Sequence, residues 1–152
     1  MELYRVPTRE TTVRILLDDG RTLDGNLFTA DAGPGGRPED LLHHLNDAGS
    51  EFLPLVSGRD SVLLNKAGIV WVQLSGEAAE QIAADSDGGR RVPVRLSLTG
   101  GVSLVGMLSV VMPPERSRVL DYFNACGRFV PVFAEGAVTL VQRRFVVLVR
   151  SH

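Results

Sequence analysis

Apolar and polar residues alternate along short stretches of this chain, and the same alternation occurs twice in the same order. The stretch 13–28 reads VRILLDDGRTLDGNLF and the stretch 94–109 reads VRLSLTGGVSLVGMLS, with seven identical positions out of sixteen and no gap. Each stretch predicts a strand, a tight turn at glycine and a second strand. Gly25 and Gly106 occupy the same place inside the second strand. An interior glycine indicates a bend, a bulge or a close backbone approach, so this feature belongs to both copies.

The similarity extends through the rest of both halves of the chain. LLHHLN matches VLDYFN, FLPL matches FVPV, and SVLLNKAGIVWV matches VTLVQRRFVVLV, at residues 41–46 and 119–124, 52–55 and 129–132, and 61–72 and 138–149. The first pair predicts short amphipathic helices that open at Pro38-Glu39 and Pro114-Glu115. The other pairs predict three strands. Each copy therefore reads β-β-α-β-β-β, repeated with a period of about seventy residues.

Two of the predicted strands carry positional signals. Pro54 and Pro131 lie at matching places in the third strand, which predicts an edge or a kink because proline cannot donate to a ladder. The last strand, within 144–150, is apolar on both faces and predicts burial at the contact between the copies.

The fold follows from the short bent strands. Five such strands tend to close into a small barrel, because closure removes exposed edges. We therefore predict a mainly β chain with short helices, in the α+β class, built as two tandem five-stranded small barrels related by a pseudo-two-fold axis. The predicted boundaries are 1–75 for the first barrel repeat, 76–91 for a partly helical connector and 92–152 for the second barrel repeat.

A motif of fixed spacing spans each first hairpin. The first copy has Gly20, Leu23, Gly25, Leu27 and Asp31, and the second has Gly101, Leu104, Gly106, Leu108 and Met112. This spacing resembles the first motif of the Sm-like small β-barrel family, in which the last position is aspartate. The resemblance implies a barrel. It does not imply RNA binding, because the base-contacting asparagine that follows the aspartate and the arginine-glycine second motif of that family are both absent here.

Composition limits the function classes. The net charge of −2 argues against a protein dominated by nucleic-acid binding, which usually needs a basic surface. Lys66 is the single lysine among sixteen basic residues, a bias that a GC-rich bacterial genome also produces. Cys126 is the single cysteine, so no internal disulfide forms, and its context indicates a small buried side chain. No signal peptide or long apolar run is visible, so we expect a cytoplasmic protein without a membrane partner.

Two groups of polar residues favour structural explanations over chemistry. Asp18, Asp19 and Asp24 surround the first hairpin and would suit a cation or acid–base work, but aspartates also favour turns for conformational reasons. His43 and His44 are adjacent on a helix and point about 100° apart, which does not suit a metal pair.

Anion binding has two candidate segments. The stretch 33–37, GPGGR, precedes a helix as a phosphate cradle would, but it lacks the Lys-Ser/Thr ending of a P-loop and reads as a plain loop. Arg90, Arg91 and Arg95 form a basic cluster at the start of the second copy. Arg91 and Arg95 share one face of a strand. The cluster resembles the motifs of PilZ barrels, which bind cyclic-di-GMP, and is our candidate anion-binding site.

These observations favour a binding protein over an enzyme. No nucleophile–base or paired-carboxylate constellation can be assembled from both copies, and we expect no catalytic residue, cofactor or metal. The predicted function is a non-enzymatic adaptor or regulatory module whose partner is an unidentified protein, with self-association left open. The alternative is a nucleic-acid or nucleotide binder that uses the basic face near residues 90–95, and an enzyme is the third choice.

Overall fold

The computed structural model of the chain describes residues 8–30, 41–86, 88–111 and 118–151. The strands are β1 (Thr8–Leu17), β2 (Thr22–Ala30), β3 (Phe52–Ser57), β4 (Asp60–Asn65), β5 (Ile69–Ser75), β6 (Arg90–Leu98), β7 (Val102–Val110), β8 (Phe129–Ala134), β9 (Ala137–Gln142) and β10 (Val146–Ser151). The helices are α1 (Leu41–Asn46), α2 (Gly76–Asp85) and α3 (Val119–Ala125), and short 3-10 turns occupy Lys66–Gly68 and Arg143–Phe145. The prediction of a mainly β chain with short helices is confirmed.

All ten strands belong to one antiparallel sheet. Their order is β10-β6-β7-β8-β9-β5-β1-β2-β3-β4. We call β1–β5 with α1 the first copy and β6–β10 with α3 the second copy. Within each copy the strands lie in the order fifth, first, second, third, fourth. The two copies meet where β5 of the first pairs with β9 of the second.

The sheet is open, so the closed form of the predicted barrels is not observed. In the described part of the chain, β4 and β10 lie at opposite ends of the sheet and are not hydrogen-bonded to each other. The predicted pseudo-two-fold axis is also wrong. A two-fold axis that paired β5 with β9 would have to pair β10 with β4 as well. The copies are instead arranged head to tail, because two different strands form their contact.

Backbone hydrogen bonds repeat between the copies. The N–H of Lys66 donates to the carbonyl of Glu51 at 2.9 Å, and the N–H of Arg143 donates to the carbonyl of Arg128 at 2.8 Å. These four residues occupy matching places in the two sequences. In both copies this bond ties the 3-10 turn between the fourth and fifth strands to the start of the third strand.

A close backbone approach explains the glycine inside each second strand. A Cβ atom on Gly25 would lie 2.6 Å from the carbonyl oxygen of Val56, and one on Gly106 would lie 2.7 Å from that of Phe133. No real Cβ tolerates such distances, so the third strand crosses the second only where there is no side chain. The predicted close approach is therefore observed, and the ladders of β2 and β7 with the first strands run through these glycines without a bulge.

Of the two alternatives for the proline strands, the edge position is wrong and the kink stays a prediction. β3 lies between β2 and β4, and β8 lies between β7 and β9, so neither Pro54 nor Pro131 is on an edge strand. Pro54 lies just beyond the two residues of β3, Leu55 and Val56, that pair with β2. The prediction for the last strand is also wrong. β10 is an open edge of the sheet and is not buried at the contact between the copies. The first copy supplies its own fifth strand, β5, to that contact. Apolar residues on both faces of β10 therefore do not indicate burial within one chain.

Two hydrophobic cores lie along the sheet. The first core is built from the first copy and is completed by four buried residues of β8 and β9, namely Phe129, Phe133, Val138 and Leu140. The second core is built from the second copy and receives Val70 from β5. Helix α2, in the predicted connector, packs against β5 and β9 and adds Ala79 and Ile82 to the first core. The helix openings at Pro38-Glu39 and Pro114-Glu115 lie outside the described residues.

Candidate interaction site

The contact between the two copies, which we call the junction, is a continuous strand ladder. Five residue pairs join β5 to β9, from Trp71 opposite Val141 to Ser75 opposite Ala137. Inside this ladder Val72 lies opposite Leu140, and both side chains are fully buried. The junction therefore combines main-chain hydrogen bonds with an apolar interior, as strand addition between two proteins does.

An asparagine of α1 fastens the helix of the first copy to the second copy. The N–H of Phe129 donates to Oδ1 of Asn46 at 2.7 Å, and Nδ2 of Asn46 lies 3.4 Å from the carbonyl of Phe129. The Phe129 side chain is buried in the first core beside Leu41 and Leu45 of α1. From the sequence, Asn46 and Asn124 lie at matching ends of the two helices and indicate helix caps. The pattern along the chain carries no signal that Asn46 contacts the second copy.

A second polar link crosses the junction next to the first, at Arg128, the residue before Phe129. Nη2 of Arg128 donates to Oε1 of Glu51 at 2.9 Å, and Nε of Arg128 donates to Oε1 of Gln142 at 2.9 Å. The buried Gln142 amide in turn donates to the carbonyls of Lys66 and Ile69, at 2.8 and 2.6 Å. The hydrogen bond from Arg128 lowers the pKa of Glu51 below its ordinary value, because it favours the charged carboxylate.

Each copy places a cation at the C-terminal end of its helix. Nζ of Lys66 donates to the carbonyls of His44 and Asp47 at 2.8 and 3.1 Å, and this side chain is completely buried. In the second copy Nη1 of Arg143 donates to the carbonyl of Cys126 at 2.9 Å, but Arg143 is exposed. Both arrangements satisfy carbonyls at a helix end. The difference in burial arises because the junction covers only the first of the two sites.

The two ends of the sheet expose residues whose counterparts in the junction are buried. Leu63 on β4 is 72% exposed and its counterpart Leu140 on β9 is 0% exposed. Phe52 on β3 is 54% exposed and its counterpart Phe129 is 1% exposed. On β10, Val147 is 70% exposed, whereas its counterpart Val70 on β5 is 3% exposed.

These end strands concentrate the exposed apolar surface of the chain. Among the described residues, five of the eight exposed large hydrophobic side chains lie on β3, β4 and β10: Phe52, Val62, Leu63, Val147 and Leu148. β4, of sequence DSVLLN, carries no lysine or proline, the residues that commonly protect an edge from pairing. We refer to the outer sides of β4 and β10 as the free edges and take them as the candidate interaction site.

The structure separates the predicted basic cluster into individual positions. Arg91 and Arg95 share the exposed face of β6, because Val92 and Val94 between and beside them point into the second core. Arg90 has the opposite parity and lies at the exposed start of the strand, opposite Val110. The three arginines therefore do not converge on one point, although two of them follow one face as predicted.

Arg91 lies against an aromatic ring at the rim of a groove. Its guanidinium carbon is 4.2 Å from the centre of the Phe133 ring. The groove has a volume of about 650 Å³ and runs between α2 and the β8–β9 hairpin, with Glu80 and Met107 also in its wall. The stacking occupies one face of the Arg91 guanidinium, which reduces its availability to an anion.

Arg95 lies next to a second arginine on the neighbouring strand. It is directly opposite Arg150 of β10 on one side and Val105 of β7 on the other. The equivalent arginine of the first copy, Arg14, forms a salt bridge of 2.8 Å with Asp24 on the neighbouring strand. The second copy has Val105 in place of that aspartate, so this face retains two adjacent positive charges.

Two of the three hairpin carboxylates, Asp19 and Asp24, bind arginines of their own hairpin. The side-chain hydrogen bond from Arg14 lowers the pKa of Asp24. The backbone N–H of Arg21 donates to Asp19 at 3.0 Å and lowers the pKa of that carboxylate as well. Both groups therefore stay charged, which does not suit proton transfer near neutral pH. The described residues contain no group of three or more His, Cys, Asp or Glu able to hold a metal, and the stretch 33–37 lies outside them.

The environment of the single cysteine opposes nucleophilic chemistry. Cys126 follows α3 and is partly buried, and burial raises the pKa of its thiol above the ordinary value. Burial likewise raises the pKa of the nearby Tyr122 hydroxyl. A reactive cysteine needs the opposite shift, because the thiolate is the nucleophile.

Comparisons with known protein families, with curated proteins and with solved structures gave no match for this chain. Within the described part of the chain, no helix is both long enough and apolar enough to cross a membrane.

Proposed function

We propose that this protein is a non-enzymatic binding module that associates with other proteins by strand addition at its free edges. Each copy serves as a small-barrel unit of the Sm-like kind, left open between its fourth and fifth strands. The observation that carries the proposal is the exposure of Leu63 and Val147 on the two edge strands, at positions whose counterparts are buried in the junction. An exposed apolar edge of this kind is a template for another strand.

The experiment compares edge variants with a matched surface variant. Leu63→Lys and Val147→Lys each place a charge on one free edge, and Val105→Lys places the same charge on an exposed residue of the interior strand β7. Tagged forms are used to capture proteins from a lysate of the source cells, after circular dichroism has verified that each variant folds. We expect capture by the parent and by Val105→Lys, with loss of a defined set of proteins in the edge variants. Equal capture by all four forms would contradict the proposal.

A second candidate function is binding of a nucleotide or a nucleic acid through the face of Arg91 and Arg95. The adjacency of Arg95 and Arg150, which have no aspartate where the first copy has Asp24, is the observation that favours it. Fluorescent single-stranded RNA and cyclic-di-GMP are titrated at low and moderate salt. Submicromolar binding that weakens steeply with salt and is lost in Arg95→Ala would establish this function, because phosphate binding releases counterions. The binding-module proposal predicts no such binding.

A further inference from the structure

We infer that the partner of the free edges is a second copy of this chain, with β10 of one chain adding to β4 of the next as β5 adds to β9 within the chain. This inference rests on the proposed function, since it requires the free edges to bind protein. The evidence for a second copy is that the chain already contains the interface once. The junction joins a fifth strand to a fourth strand, and the free edges are the remaining fifth and fourth strands.

The junction ladder predicts the register of the contact between chains. Trp71 opposite Val141 and Val72 opposite Leu140 translate into Leu148 opposite the partner's Leu64 and Val149 opposite the partner's Leu63. In this register Leu63, which is exposed in a single chain, lies against an apolar neighbour. The same register places Arg150 opposite the partner's Val62.

The second core lacks the cover that the first core receives. In the first copy Leu41 and Leu45 of α1 are buried, and Phe129 and Leu140 of the second copy lie in the same cluster. Val119 and Phe123 of α3, which correspond to Leu41 and Leu45, are only partly buried, and α3 has no fully buried side chain. Phe52 and Leu63 of a second chain occupy the places that correspond to Phe129 and Leu140. The partner's Phe52 and the partner's Leu63 would therefore complete the second core, as Phe129 and Leu140 complete the first core.

Polar groups also match across the inferred contact. Asn124 on α3 is exposed and corresponds to Asn46, which holds the backbone of Phe129 across the junction. In the inferred contact Asn124 meets the backbone of the partner's Phe52 in the same way. The predicted role of Asn124 is therefore a hydrogen bond to the second chain.

Charges are complementary in the inferred contact. The junction pairs Glu51 of the first copy with Arg128 of the second. Glu51 and Arg128 occupy matching places in the two copies. The inferred contact between chains therefore pairs Arg128 with the partner's Glu51, so that negative and positive residues alternate from copy to copy. On the strands, Arg150 lies diagonally from the partner's Asp60, within reach of a long side chain. A repeat with the same charge in both copies would instead repel itself.

The contact between chains is heterologous, since it joins two different surfaces. Each added chain leaves one β4 edge and one β10 edge free, so addition continues: the chains form a ring where the rotation between them closes and an open filament where it does not. An interface that joined β4 to β4, or β10 to β10, would stop at two chains. This difference makes the arrangement testable with single-edge variants.

The experiment measures mass in solution by light scattering after gel filtration and by native mass spectrometry. We expect the parent and the control Val105→Lys to have a defined multiple of the 16.5 kDa chain mass. Leu63→Lys blocks β4 and Val147→Lys blocks β10, so each variant alone is expected to be a single chain. Mixed in equal amounts, the two variants are expected to form a complex of one chain of each, through the one unaltered β10 and the one unaltered β4.

Three results would overturn the inference. They are a parent that stays a single chain at high concentration, a single-edge variant that still forms a pair with itself, and a mixture that forms no complex. A parent that is a single chain but captures other proteins through the same edges would refute self-association and leave the proposed function standing. A parent that is a single chain and shows no edge-dependent capture would refute both.

Discussion

The junction and the free edges are two settings of the same strand positions. Leu140 and Leu63 are leucines at matching places in the fourth strands, yet one is fully buried and the other is mostly exposed. Lys66, which is next to the junction, is buried, and its counterpart Arg143 is exposed. The sequence pattern is similar in the two copies, so the difference arises from the neighbour. A fourth strand becomes interior only when a fifth strand lies beside it.

The largest expected effect is the contrast between truncating Leu140 and truncating Leu63. In a Val147→Lys background, which we expect to hold the protein as single chains, Leu140→Ala should cost about 2–5 kcal/mol, because it leaves a cavity in the first core. Leu63→Ala should change the free energy of unfolding by less than about 0.5 kcal/mol, because the side chain is already in water. Urea denaturation measures both, and equal costs would contradict the assignment of a buried and an exposed fourth strand.

The second prediction tests whether the copies are alike away from the junction. Gly25→Ala and Gly106→Ala should each cost about 1–3 kcal/mol, because the new Cβ would overlap a backbone carbonyl of the third strand. The two costs should be similar, since both close approaches lie inside a copy. Ser103→Ala, at an exposed position of β7, is the matched control. If either glycine variant melts at the temperature of the parent, the crowding at that position is not as the structure describes.

The third prediction concerns the two helix-terminal asparagines. Asn46→Ala should destabilise a single chain by about 1–2 kcal/mol, because the buried N–H of Phe129 loses its acceptor. Asn124→Ala should leave the thermal melt of a single chain unchanged and weaken self-association, which dilution of the assembled protein followed by gel filtration measures. A loss of single-chain stability from Asn124→Ala would show that this residue acts within its own copy.

The smallest effect is expected from acid at the Glu51–Arg128 pair. The pKa of Glu51 is lowered in the folded chain, so its stabilisation is present above the ordinary glutamate pKa of about 4.3 and is lost as the pH falls through the folded value. The difference in melting temperature between the parent and Glu51→Gln should therefore shrink from pH 7 to pH 3. Asp24→Asn is the control for an ion pair within one copy. If the difference in melting temperature does not depend on pH, the carboxylate charge contributes nothing to stability, which is common for exposed ion pairs.

Local features of the fold could be predicted because they depend on neighbours in sequence. Glycine at the hairpin turns and alternation along β1, β2, β6 and β7 define strands whose residues pair close in the chain. The helix at 41–46 follows from the spacing of Leu41, Leu42 and Leu45. The shared face of Arg91 and Arg95 follows from the period of a strand.

The candidate site could not be predicted because it depends on which strands meet. Apolar residues on both faces of β10 predicted a buried contact, and the same pattern in β5 provides that contact instead. Pairing of Glu51 with Arg128 joins residues 77 positions apart and leaves no local signal. The stacking of Arg91 on the Phe133 ring joins residues 42 positions apart, which meet only in the folded sheet.

By itself, the amino-acid sequence determined a repeated β-β-α-β-β-β unit, its strand periods and the glycines that allow strands two and three to approach. These are short-range consequences of side-chain alternation and backbone sterics, which act identically in both copies. The tertiary structure decided that the copies join head to tail, that Lys66 and Leu140 are buried, and that β4 and β10 each keep one edge without a neighbouring strand. Two copies in line share one contact and leave two ends, and no pattern within a copy specifies which of its edges the other copy will cover.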